Sequence, residues 1–358
     1  MAAAIGTPVI LFGTYTILAN SNEHNSHSGG SSPFSDPEFA GFKLIRTFPP
    51  YTKPSDNDSF CVLPTDFAKN ANQARRNLSN NLHPLDVFVC SFPKSGTTWL
   101  AEVVYLLVNR LDWEGAAENN LEERVPYFEY FYPGSKVVKT MPVPRVIKTH
   151  LPFTHLPQKV QSGEASRIIY IVRDPRDIVV SYYHFNRCLI PAGYRNREGI
   201  EGFNRRFVEG TLPYAPWPTH VQSYASAAEH LSANQRHPKI LIIHYEELKR
   251  DPKSLIRRIE QFLHDTWSSD DVPKPNKLTE NEVARLAHHC SFECMASNPS
   301  TNYSWYEKAG LWRPLEKFMR SGKVGSYRSS LSENQACLVK QLAEESNLEW
   351  TLSNAQVD

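Results

Sequence analysis

Apolar positions along this chain fall into two rhythms. Four short stretches are continuously hydrophobic or nearly so: Leu85–Phe92, Arg145–Lys148, Arg167–Arg173 and Lys239–Tyr245. Unbroken runs of that length, rich in β-branched residues, predict strands of a parallel sheet covered on both faces. Between them the period lengthens. Leu100, Val103, Val104, Leu107 and Val108 share one helical face, as do Leu255, Ile256, Ile259, Phe262 and Leu263. Asp174-Pro175 and Asp251-Pro252 each place a capping carboxylate before a proline suited to a first helical turn. Thr279/Glu282 and Ser332/Gln335 have capping-box spacing. A loop over Pro213–Pro218 precedes a helix expected from about Thr219 to Ala233. This alternation predicts an α/β fold, a P-loop-like open parallel sheet flanked by helices, with ligands at the C-terminal ends of strands. Leu111–Pro144 and Asn298–Tyr327 lack a clear period and read as long loops of the kind that cover sites.

The globular pattern begins near Phe42. Residues 1–41 are expected to be a disordered or weakly apolar extension, 42–350 a single domain and 351–358 a tail. Met1–Asn22 carries no charge, and Gly6, Pro8 and Gly13 interrupt its apolar stretch. It lacks the basic start of a secretory signal. The expected location is therefore the cytoplasm, with an N-terminal membrane anchor or signal as the lesser alternative. Ser21–Pro37 is too polar to build a core. Across 358 residues, 39 Lys and Arg balance 38 Asp and Glu, which gives no support to a nucleic-acid or membrane-surface partner. The six cysteines form no CxxC pair, and Cys290 and Cys294 lack a second ligand pair. Reduced structural thiols and no metal site are expected.

The most informative run is Ser91-Phe92-Pro93-Lys94-Ser95-Gly96-Thr97-Thr98-Trp99-Leu100. It joins a predicted strand to a predicted helix, where free N–H groups and the helix dipole favour an anion. Lys94 adds a full positive charge. A nucleotide-kinase loop would place its lysine after the second glycine, but here Lys94 precedes Gly96. Asp174 suits a helix cap better than a magnesium ligand, so a magnesium-dependent kinase is disfavoured. The expected anion is handled by side-chain cations.

Four segments together resemble the cytosolic sulfotransferase family. Pro93–Trp99 is similar to its 5′-phosphosulfate loop. Arg173–Phe185 resembles its 3′-phosphate segment. Lys148-Thr149-His150-Leu151-Pro152 resembles the strand end bearing its base. Phe318–Gly322, followed by Val324-Gly325, resembles its C-terminal phosphate segment. Ser291-Phe292 and Asn298-Pro299 extend the match, which runs from about Phe42 to Leu348.

The resemblance implies a sulfotransferase fold and transfer of a sulfuryl group from 3′-phosphoadenosine 5′-phosphosulfate (PAPS) by an in-line reaction. It implies His150 as general base, with Lys94 and Lys148 as catalytic cations. Lys94, Ser95, Gly96, Thr97, Thr98, Trp99, Arg173, Ser181, Tyr245, Cys290, Ser291, Phe292, Met295, Arg320, Ser321 and Gly322 would bind the donor. Lys148, Thr149, His150, Tyr127 and Phe153 would meet the acceptor. Structural alternatives stand beside these roles: Arg173 could pair with Asp177, Ser181 could bond its own helix, and Trp99 could be core. Ser321 stands where the family usually has Lys, Cys290 where Thr is common and Tyr327 where Trp is usual. The family's dimerisation segment is poorly matched at Arg328–Cys337, so a homodimer is only weakly indicated. Val125–Tyr130, Phe185, Trp305 and Tyr306 suggest an aromatic acceptor pocket for a small hydrophobic alcohol, phenol or amine. A non-catalytic nucleotide-binding protein on the same fold is the alternative.

Overall fold

The computed structural model describes residues 32–50, 60–78, 80–130, 134–233, 240–267 and 272–345. The first 31 residues and the predicted tail 351–358 lie outside them. The four predicted strands form one parallel sheet: β4 (Val87–Cys90), β5 (Val146–Thr149), β6 (Arg167–Val172) and β7 (Ile240–His244). Their order is β5-β4-β6-β7, with Val89 opposite Lys148 on one side and Ile169 on the other. The chain leaves β4 for one neighbour and later returns to the other. The C-terminal end of β4 is therefore the switch point where a cleft must open.

Continuous hydrophobicity has its expected cause. Val87, Val89, Ile169 and Ile171 face one buried cluster, which also takes Leu100, Val104, Ile256 and Ile259. Phe88, Cys90, Ile168 and Tyr170 face the other, with Ile178, Val179 and Phe207. The helix Thr97–Val108 covers the first face and the helix Pro175–Cys188 the second. Asp174 caps the latter through the N–H of Arg176, and Asp251 caps Pro252–Asp265 through Ser254. The Thr279/Glu282 and Ser332/Gln335 boxes are both formed. The two aperiodic segments contain short helices, among them Leu121–Arg124 and Ser304–Lys308.

A second, antiparallel sheet was not predicted: β1 (Phe34–Ser35), β2 (Lys43–Thr47) and β3 (Cys61–Pro64) in the order β1-β2-β3. Residues 34–41, grouped above with the extension, belong to the packed domain. Phe39 is buried and bridges to Tyr194, and the backbone of Gly41 lies so close to Pro191 that a Cβ would sit 2.0 Å from its carbonyl oxygen. The helix Thr65–Leu78 follows β3 and carries Phe67 against Tyr130 and Tyr214. All six cysteines are unpaired. No helix among the described residues is long and apolar enough to cross a membrane.

One buried ion pair pins the N-terminal ends of β4 and β5. Arg145 grips Asp86 with two hydrogen bonds of 2.8 and 2.6 Å, and its remaining N–H groups reach the carbonyls of Val138 and Asn81. Removing one partner strands a charge in the core. Asp86→Ala is expected to lower the unfolding free energy by about 3–5 kcal/mol in urea titration.

Candidate active site

Three strand ends deliver the predicted cations and base side by side. The turn after β4 places Lys94 at φ 72° and Gly96 at φ 109°, both left-handed. Gly96 is required twice over, because a Cβ there would lie 2.7 Å from the Tyr245 ring. No side chain caps the helix that begins at Thr97, so its first N–H groups remain for a ligand. The Oγ of Ser95, enclosed in this turn, is buried without a partner among the described residues.

The Lys94 ammonium is held over the rings of Phe318 (4.1 Å) and Phe185 (4.6 Å). Among the described residues it has no carboxylate partner. Burial, then the charges of Lys148, Arg173 and Arg320, bring its pKa down to about 7. Arg173, at the end of β6, donates to the carbonyls of Lys94 (3.2 Å) and Lys323 (3.0 Å) and stacks on Tyr245. Its contact with Asp177 is longer, 3.6 Å, and its Nε is buried without a partner among the described residues. Asp177 instead accepts from the backbone of Gly325 and Tyr327 and from Ser326, at 2.8–3.0 Å. It thereby ties the C-terminal segment that carries Arg320 to the helix after Arg173. Gly322 in that segment lets the chain pass Phe292, where a Cβ would sit 2.3 Å from the ring.

Lys148 and His150 leave the end of β5 on the same side. Lys148 lies 3.3 Å from the Tyr303 hydroxyl, 3.9 Å from Glu122 and over the ring of Tyr127. Burial opposes its charge, but Tyr303 and Glu122 hold its pKa above the usual lysine value. The Nδ1 of His150 is 2.8 Å from the carbonyl oxygen of Ser91. A carbonyl only accepts, so Nδ1 carries the proton and Nε2 keeps a lone pair. Burial, then Lys148, push the imidazole pKa well below its ordinary value. The ring is neutral at physiological pH. Its backbone N–H donates to Glu129, which also accepts from Thr149; burial raises the Glu129 pKa to about 7.

These groups line one cavity of about 970 Å³. At one end are Lys94, Arg173, Arg320, Ser181, Tyr245 and the segment from Cys290 to Met295, with Ser321 and Gly322. At the other are Phe42, Phe67, Tyr127, Tyr130, Tyr182 and Tyr214, with Phe185 between them and Lys94 on the wall. Gly96, Thr97, Thr98, Trp99, Lys148, His150 and Tyr306 also reach the wall. Two predicted acceptor contacts do not. Thr149 faces away, between Lys148 and His150, because successive strand residues alternate faces, and it bonds Glu129. Phe153 packs against Tyr224 in the turn beyond. Trp305 backs Tyr303 by stacking and lies behind the wall. Sequence reasoning missed Glu122 and Tyr214, offered Asp177 only as a partner for Arg173, and passed over Glu129 within Val125–Tyr130. An acid inside an apolar run was the available signal for Glu129. Among the described residues no cluster of three or more His, Cys, Asp or Glu side chains is arranged to hold a metal.

Comparison with known proteins decides the family. The family described as "Sulfotransferase domain" matches residues 84–350. The chain belongs to the sulfotransferase family. Mouse Sulfotransferase 1B1 is 34% identical over 259 residues, 70% of this chain and 79% of that protein. Human Sulfotransferase 1E1 is 33% identical over 250 residues, 69% and 78% of the two chains. The fold is shared with a solved retinol dehydratase in complex with androsterone and inactive cofactor PAP: TM-score 0.70, 24% identity, 88% of this chain and 97% of that one. A mouse sulfotransferase complexed with PAP aligns with a TM-score of 0.59 at 25% identity, over 83% and 97%. This sulfotransferase is therefore an enzyme of PAPS-dependent sulfuryl transfer.

The cationic wall fits such a ligand through its own unmet needs: an Arg173 Nε without a partner among the described residues, and a lysine whose charge is opposed by burial and then by neighbouring cations. Ser95 is not part of that wall. With a free-state pKa of about 7, Lys94 is mostly neutral at pH 8. An anion beside it restores the charge. Binding of adenosine 3′,5′-bisphosphate (PAP) at pH 8 should therefore take up close to one proton more in the native enzyme than in Lys94→Met, and the difference should vanish near pH 6. Calorimetry in buffers of different ionisation enthalpy measures it.

Proposed function

We propose that this enzyme transfers the sulfuryl group to a hydroxyl, or an amine, of a small hydrophobic acceptor bound at the aromatic end of the cavity, with His150 as the base. The single observation that carries the reading is the neutral, Nδ1-protonated imidazole standing where the cationic and aromatic walls meet. The co-substrate supplies a sulfuryl group on a phosphate leaving oxygen. Lys94 neutralises the charge that grows on that oxygen, as a fixed cation in a dry site does best. Arg173, Ser181 and Arg320 hold the 3′-phosphate, and Trp99, Tyr245 and Phe292 surround the adenine. Lys148, kept charged by Glu122 and Tyr303, orients the sulfuryl oxygens. His150 Nε2 accepts the acceptor's proton.

The base and the donor site are coupled. After burial, the Lys148 charge is what most depresses the basicity of His150. A bound anion offsets that charge, so the imidazole becomes a better base once the donor is in place. The solved relative with androsterone supports a small, largely apolar acceptor by analogy with its own ligand. The non-catalytic alternative has nothing to explain why the imidazole is fixed with a free lone pair beside two lysines.

Replacement of His150 by Ala is expected to reduce turnover of a phenol at saturating donor by ~10²–10⁴-fold. Affinity for PAP should stay within about threefold, since the ring lies outside the phosphate sites. Radiolabelled transfer and calorimetry give the two numbers. Parallel loss of both would make His150 a binding residue.

A further inference from the structure

Beside His150 stand two phenols whose hydrogen bonds do not add up within the protein. The hydroxyls of Tyr127 and Tyr214 are 2.6 Å apart. Both rings meet the imidazole edge-on, at centroid distances of 5.3 and 5.6 Å. Both residues are buried and both line the cavity. Burial holds both phenols above their ordinary pKa, so each keeps its proton. Two hydroxyls bring two protons. One lies in the mutual bond, and the second has no protein acceptor among the described residues. A buried donor left unmet costs about 1–3 kcal/mol. Phe67 packs on the Tyr214 ring and Tyr130 on the Tyr127 ring, and the nearby Glu129 carboxylate accepts from Thr149 and the backbone of His150 rather than from either phenol.

We propose that this remaining proton reads a second oxygen on the acceptor, so that the preferred substrates are phenols or alcohols bearing an ether, carbonyl or hydroxyl oxygen on the same or the neighbouring ring. This inference rests on the proposed function and narrows its acceptor class. An oxygen that takes this proton replaces water there and satisfies the pair. A plain hydrocarbon in its place leaves the donor buried and unmatched. Sites with an unmatched buried donor discriminate more strongly than apolar walls do.

The test uses 2-naphthol and its 3-, 6- and 7-methoxy derivatives, because a methoxy oxygen accepts a hydrogen bond but cannot itself be sulfated. In the full-length enzyme at least one methoxy isomer should exceed 2-naphthol in kcat/KM by about five- to tenfold, the worth of one neutral hydrogen bond. The same isomer should bind more tightly, by a similar factor, to the enzyme saturated with PAP, as read by calorimetry without turnover. In the Tyr127→Phe/Tyr214→Phe double variant both ratios should fall to near one. Of the two single variants, only the one removing the hydroxyl that faces the ligand should abolish the preference. Each ratio is internal to one protein, so loss of folded enzyme cannot imitate the result. Transfer to 2-naphthol with no isomer preferred, or a preference that survives in the double variant, overturns the inference alone. No transfer to any naphthol, phenol, alcohol or amine overturns the proposed function, and the inference falls with it.

Discussion

Like charges crowded in a dry place organise this molecule. Burial, then the charges of Lys148, Arg173 and Arg320, bring the pKa of Lys94 down to about 7, and among the described residues no carboxylate reaches Lys94 to relieve it. Such a cluster is unfavourable in isolation and persists only where a stable framework holds it. The framework is visible in the parallel sheet, whose central strand ends between two neighbours, and in the buried Arg145–Asp86 grip at its opposite end. Part of the repulsion is absorbed by aromatic faces: Phe185 and Phe318 under Lys94, Tyr127 under Lys148, Tyr245 under Arg173. What remains is a demand for an anion, and it selects the ligand.

The same charges set the chemistry in sequence. Burial first, and then Lys148, lower the proton affinity of His150, so in the proposed reaction an anion held beside Lys148 would make the imidazole a better base. Pairing of the two events requires no moving part. It follows from the nearness of Lys148 to His150 and from the low dielectric around them. Glu129 contributes by fixing the backbone at His150, and Ser91 by fixing the tautomer.

Legibility in the sequence follows how local each feature is. Lys94, Gly96, Lys148, His150 and Arg173 each sit within a few residues of a strand end, where apolar runs and turn chemistry give their place away. Thr149 and Phe153 were assigned with their neighbours, although the two-residue period of β5 turns Thr149 inward to Glu129. Tyr214 could not be read, because its partner Tyr127 is 87 positions away and only the fold brings their hydroxyls together. The antiparallel sheet was missed for a similar reason: β2 is five residues long, with Leu44 its one fully buried residue, and its identity depends on pairing with β3. Glu122 was hidden among the acids of a short capped helix, and only Tyr306, 184 residues on, gives it meaning.

Asp177 holds the backbone of Gly325 and Tyr327 from roughly 150 residues earlier in the chain. Arg320 is thus secured by a clasp whose two halves are far apart in the chain. On a ribosome, the sheet, the Lys94 turn and His150 emerge before the segment that bears Arg320. Until that clasp forms, Lys94 and Arg173 stand open to water and dissolved ions.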